Sequence, residues 1–174
     1  MTTSTLNPME NATSQSASAV ASEDLAALVS TQAKRIMEKI PLLGAVTWLM
    51  LQQSGMRHTL LSELDWRVLP PLALEQAKVY LRDGAPVAYV SWACLSEPVA
   101  QRYAASKHQL MPAEWRSGQA VWIVDLIAPF GGGREVIADL QASVLVGQAL
   151  WQLMPGESGG MKSHLWPATQ AKSA

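Results

Sequence analysis

Up to about Ala21 the chain is mostly Ser, Thr, Ala, Asn and Gln, and only beyond it do apolar residues recur with a period. The first stretch, 1–21, has too little apolar surface to offset the entropy of ordering and is predicted to be a disordered tail. From Ser22 the pattern changes. Ser22 can cap a helix, Glu23 and Asp24 favour the positive end of its dipole, and Leu25, Leu28, Val29, Ile36 and Ile40 fall near helical spacing. A helix to about Lys39, stopped by Pro41, is expected. Leu43 to Gln53, with Val46, Leu49 and Met50 on one side, predicts a second helix, followed by the polar turn Gly55-Met56-Arg57-His58. A short amphipathic segment, Leu60 to Arg67, precedes Leu69-Pro70-Pro71, where adjacent prolines end any helix.

After a helical turn near Leu72, the pattern switches to strands. Lys78 to Arg82 and Pro86 to Trp92 flank Asp83-Gly84, the strongest hairpin signal in the chain. Glu97 to Ala105 is predicted as a helix, and Met111 to Arg116 as a short link. Ala120 to Ile127 is an apolar run of the kind that fills the middle of a sheet. Gly131-Gly132-Gly133 leads into a helix from Arg134 to about Leu145, and Gln148–Met154 and Met161–Trp166 close the fold as strands. A hairpin, a central strand and packed helices make the fold class α+β. One domain over 22–166 with a flexible C-terminus, 167–174, accounts for the length.

Composition narrows the function without choosing it. Thirteen basic against 14 acidic residues supply no basic face for nucleic acid. No apolar run approaches the ~20 residues of a membrane span. The N-terminus has neither the basic region nor the apolar segment of a secretory signal. The single cysteine, Cys94, excludes an internal disulfide and suits a reducing compartment, so cytoplasm is the expected location. In an apolar strand end it reads as a core thiol rather than a nucleophile. No metal site is expected. Seven Trp against three Tyr and one Phe put much of the core's bulk in indoles, each with an N–H that wants an acceptor.

Two residues stand out for chemistry. Asp125 interrupts the run Val121-Trp122-Ile123-Val124 and Leu126-Ile127, and strict alternation puts it on the face of Val121, Ile123 and Ile127. A carboxylate there needs a partner. It reads either as the electrostatic partner of a base or as an acid near the strand end that caps the following loop. His58 sits in a turn between two amphipathic segments, beside Arg57. It reads either as a base that can take a proton from an attacking amine, as an imidazole in general can, or as a solvated loop histidine. His108 and His164 have no evident partner. The triple glycine can present backbone N–H groups to a phosphate or pantetheine arm, or simply make a strand-to-helix turn.

The strings Leu43-Gly44-Ala45-Val46-Thr47-Trp48-Leu49, Pro86-Val87-Ala88-Tyr89-Val90-Ser91-Trp92-Ala93, Trp115-Arg116-Ser117-Gly118 and Trp122-Ile123-Val124-Asp125-Leu126-Ile127-Ala128-Pro129-Phe130-Gly131 add to this reading. In that order they resemble the RTX toxin-activating lysine acyltransferases, the haemolysin-activating family, over about half the chain. The resemblance implies a GNAT-like fold with a mostly antiparallel sheet. It implies transfer of a fatty acyl chain from acyl carrier protein to internal lysines of an RTX protoxin, with no tightly bound cofactor, by a homodimer. It maps the family's catalytic histidine and aspartate onto His58 and Asp125. Family members commonly read Ser-Pro-x-His where this chain reads Ser54-Gly55-Met56-Arg57-His58, and carry an Asn where it has Arg67. His58 is expected to deprotonate the acceptor amine while Asp125 orients the imidazole, with backbone N–H groups around Ala88 to Trp92 stabilising the oxyanion. An acyl-enzyme route through His58 is the mechanistic alternative. Two other readings stand beside this one: a small-molecule N-acyltransferase of the GNAT type using acyl-CoA, and a non-catalytic dimeric toxin-binding protein.

Overall fold

The computed structural model describes residues 30–31, 34, 37–105, 109–156 and 159–168. The expected tail over 1–21 lies outside them, as do His108 and residues 169–174. The chain divides into two compact units, 1–38 and 39–174. In the first, the described residues are helical. All described strands belong to the second.

Helix α1 covers 39–52 and runs through Pro41, which therefore does not stop it. A proline removes one N–H and crowds one carbonyl. Burial of Val46, Leu49 and Met50 holds the helix regardless. After a 3-10 turn, Ser54–Met56, come α2 (Leu61–Arg67) and α3 (Leu69–Ala73). Pro70 and Pro71 lie in the first turn of α3, where a missing N–H removes no helical bond, so the prolines open a helix as well as closing off the one before.

The strands are β1 (Ala77–Arg82), β2 (Ala85–Leu95), β3 (Ala120–Ile127), β4 (Leu150–Pro155) and β5 (Met161–Trp166), hydrogen-bonded in sequence order. Helix α4 (Glu97–Ala105) follows β2, and α5 (Gly133–Ser143) follows β3. The β3/β4 pair is parallel and the other three are antiparallel, so the sheet is mixed and mostly antiparallel. The fold is α+β. The β1–β2 hairpin turns at Asp83 and Gly84 with φ of 52° and 79°, the consecutive positive values a tight hairpin needs. No helix among the described residues is long and apolar enough to cross a membrane.

Each face of the sheet carries helices. Val90, Trp92, Val121 and Ile123 pack under Val136, Ile137 and Leu140 of α5. On the opposite face, Ala93, Leu95, Trp122 and Val124 meet Val99, Ala100 and Tyr103 of α4, while Tyr89 and Ile127 meet α1 and α3. Among the four motif indoles, Trp92, Trp115 and Trp122 are core residues, and Trp48 lies half-exposed 5.9 Å from Phe130. The Nε1 of Trp115 and of Trp122 is buried with no acceptor among the described residues.

Candidate functional site

Strand β3 does not alternate uniformly. Ser91 pairs with Asp125 but Trp92 pairs with Ile123, so Val124 is an extra residue on β3. A bulge of this kind shifts the side-chain parity of everything beyond it. Val121 and Ile123 face α5. Ile127 faces α1 and α3, and Asp125 reaches Arg67 on α2. The expected common face of Asp125 with Val121 and Ile123 is thereby corrected, while the pairing with Ile127 stands. The bulge turns the carboxylate away from α5 and toward the side of the sheet covered by α1 to α4.

Asp125 is buried, with 2% of its side chain exposed, and Arg67 is almost so, at 13%. The Arg67 guanidinium donates from Nε to Oδ2 at 2.7 Å and from Nη2 to Oδ1 at 2.5 Å. This two-point pairing is the strongest geometry a guanidinium and a carboxylate can make. The hydrogen bond to Asp125 raises the pKa of Arg67 above its ordinary value. Glu63, one turn earlier on α2, stands 3.8 Å from Nη1 on the other side. Two buried tyrosines feel the same carboxylate. Burial raises the pKa of Tyr89 and of Tyr103, and the charge of Asp125 raises both further. The hydroxyl of Ser91, directly across the ladder from Asp125, is buried too.

His58 lies exposed in the turn between the 3-10 segment and α2. Local bonds shape that turn: Arg57 Nε donates to the Leu51 carbonyl at 2.9 Å, and the Thr59 amide donates to the Met56 carbonyl at 3.1 Å. Upstream of the turn, Gln53 Oε1 accepts from the Ala128 amide at 3.1 Å. Downstream of it, Arg67 binds Asp125. The turn is thus attached on both sides to the C-terminal end of β3. Gln53, Ser54, Ala128, Pro129 and Gly133 line a polar cleft of about 410 Å³ at that end. Among the described residues no hydrogen bond or ion pair joins His58 to Asp125.

The other sequence-derived candidates fall elsewhere. The amides of Ala88 to Ser91 lie in a strand with neighbours on both sides, and the Trp92 amide donates to the Gln76 carbonyl at 2.9 Å, so this stretch is ladder rather than an open oxyanion hole. Gly131 and Gly132 adopt φ of 88° and 83° and make the turn into α5. His164 is exposed on β5, edge-on to Trp166 at 4.7 Å. Burial raises the pKa of Cys94, as expected of a packed thiol. Among the described residues no three His, Cys, Asp or Glu side chains gather as metal ligands. Arg67 is the residue that pattern reading missed as a site component. Its signal was present: a buried acid in β3 demanded a cation, and Arg67 ends an amphipathic segment just before an apolar Val-Leu.

Comparison with known proteins adds a sequence-wide result. The profile of the RTX toxin acyltransferase family matches residues 35–166. The lysine-acyltransferase RtxC of Vibrio cholerae serotype O1 is 36% identical over 101 residues, 56% of this chain and 66% of that protein. The leukotoxin-activating lysine-acyltransferase LktC serotype A1 of Mannheimia haemolytica is 38% identical over 90 residues, 52% of this chain and 54% of its own. The protein-lysine myristoyltransferase RtxC of Kingella kingae is 35% identical over 95 residues, covering 55% of this chain and 57% of the relative. The chain thus spans between about half and two-thirds of the length of these relatives.

Proposed function

The chain belongs to the RTX toxin acyltransferase family, and from that premise we propose that it is a protein-lysine acyltransferase that moves a fatty acyl group from a carrier-protein thioester to lysine side chains of an RTX protoxin. The observation that carries this reading is the extent of the family match. Residues 35–166 take in both the His58 turn and the Asp125 strand. The mostly antiparallel sheet with one parallel junction, β3/β4, is consistent with a GNAT-like arrangement.

The chemistry asks for little beyond what these residues offer. A lysine amine with an ordinary pKa near ~10.4 is protonated at neutral pH and does not attack a thioester. A nearby imidazole removes that proton. The amine nitrogen then bonds to the thioester carbonyl carbon and gives up its second proton to solvent, the carbon–sulfur bond breaks, and the departing thiolate takes the first proton back from the imidazolium. His58 is the base in this reading, or the transient acyl acceptor. Asp125, paired with Arg67, is the electrostatic partner behind the site in this reading.

Purified protein mixed with a long-chain acyl carrier protein and a protoxin fragment tests this directly. The expected product is a fragment heavier by one acyl group and stable to alkaline hydroxylamine, as an amide is and an ester or thioester is not. Transfer to a small amine from acyl-CoA, with no protoxin product, would favour the small-molecule reading. Tight binding of the fragment without a mass change would favour a non-catalytic toxin-binding protein.

A further inference from the structure

The segment that carries His58 has two ends, and each is fastened to the same short piece of strand. At its start, the side-chain oxygen of Gln53 accepts the Ala128 amide at 3.1 Å. At its close, Arg67 grips Asp125 through two bonds of 2.7 and 2.5 Å. Asp125 and Ala128 are three positions apart, roughly 10 Å in extended chain. Between the fastenings the segment buries little. The turn itself holds no buried residue, and in α2 none is fully buried. Leu60 and Leu61 point outward, at 65% and 81% exposure. Met56 and Leu64 pack half-buried against the cluster of Val46, Leu49, Val68 and Leu72, and the hydrogen bonds at the two ends fasten the exposed stretch between them, which carries His58.

We propose that Gln53 and Arg67 are positioning residues that together hold the His58 turn over the C-terminal end of β3. The catalytic consequence rests on the acyltransferase reading above; the mechanical one does not. Gln53 serves as an acceptor for an amide that β3 leaves free where the strand stops at Ile127. Arg67 serves as a two-point grip whose planar fork a lysine cannot reproduce. Loss of the Gln53 acceptor, or of the Arg67 fork with its charge kept, lets the turn open locally while the sheet and α5 stay intact, because the three buried clusters contain neither residue.

The test compares Gln53→Leu, which removes the acceptor, with Gln53→Glu, which keeps it, and adds Arg67→Lys, which keeps the charge and loses the fork. Hydrogen exchange of the amides of 54–60 is followed beside that of α5. In Gln53→Leu and Arg67→Lys exchange over 54–60 is expected to quicken about tenfold, the equivalent of one net hydrogen bond, with α5 unchanged. In Gln53→Glu it stays at the wild-type rate. With a protoxin fragment as acceptor, kcat falls about tenfold or more in the first two variants while KM is unmoved, and Gln53→Glu restores kcat. Unchanged exchange in Gln53→Leu and Arg67→Lys overturns the clamp. Faster exchange with undiminished kcat overturns the positioning role. Faster exchange in a protein whose wild type transfers no acyl group leaves the clamp standing and removes the acyltransferase reading instead.

Discussion

Asp125 is tolerated in the interior because one guanidinium matches both its oxygens, and that match makes each partner dependent on the other. Removing one member of a buried pair leaves an uncompensated charge, at a cost of about 3–5 kcal/mol, whereas removing both leaves none. Denaturant unfolding of Asp125→Asn, Arg67→Met and the double variant Arg67→Met/Asp125→Leu is expected to show a large loss in each single and a much smaller loss in the double. Additive losses would mean that the two residues stabilise the fold separately. The tyrosines give a second residue-scale outcome. The chain has three, and burial raises the pKa of Tyr80, Tyr89 and Tyr103 alike. A group with a raised folded-state pKa contributes stability that is present below its unfolded value, near ~10, and lost as pH rises toward the folded value. Absorbance titration at 295 nm is therefore expected to show no phenolate near pH 10 in the native protein, then a steep rise coincident with alkaline unfolding. A reversible step of more than one phenolate near pH 10 with the fold intact would contradict the burial of the Tyr89 and Tyr103 hydroxyls. At this scale the sequence exposed Asp125, because an acid inside an apolar run is a local anomaly. It did not expose the pairing with Arg67, since the two lie 58 positions apart and meet only through the sheet.

Among the elements, the hairpin was legible to its turn residues. Asp83-Gly84 determines its own backbone, so a local signal sufficed. Strand β3 and helix α4 were also legible to their ends, because apolar runs and helical spacing are local patterns. The helix through Pro41 and the helix opened by Pro70-Pro71 were not, since tertiary burial and position within the first turn decide what a proline does. The bulge at Val124 was invisible for a further reason. It is a property of how β3 pairs with β2, not of β3 alone. The glycines separate local from non-local causes experimentally. A Cβ at Gly44, within α1, meets nothing within 4 Å, so Gly44→Ala is expected to stabilise by about 0.5–1 kcal/mol. At Gly84 there is also space, but φ is 79°, and Gly84→Ala is expected to cost about 1–2 kcal/mol. At Gly118 a Cβ would stand 2.5 Å from the backbone of Leu95 and Ser96, and Gly118→Ala is expected to be the most damaging of the three. Urea midpoints of the three variants check the order. A Gly118→Ala protein as stable as wild type would contradict the close approach of that loop to β2.

For the whole molecule, a mixed sheet carries a buried Asp–Arg pair on one side of its central strand, and an exposed histidine is held by its flanks near the end of that strand. Family membership is the basis of the proposed reaction class, and the arrangement names the residues to test. His58 is exposed, so its removal leaves the core untouched and separates chemistry from folding more cleanly than any change at Asp125. The decisive measurement is intact mass of an RTX protoxin co-expressed with the wild-type chain and with His58→Ala, the two proteins matched for melting temperature. The account predicts a protoxin heavier by fatty acyl groups on lysine with the wild type, and an unmodified protoxin with His58→Ala. An unmodified protoxin in both, or equal acylation in both, would contradict it.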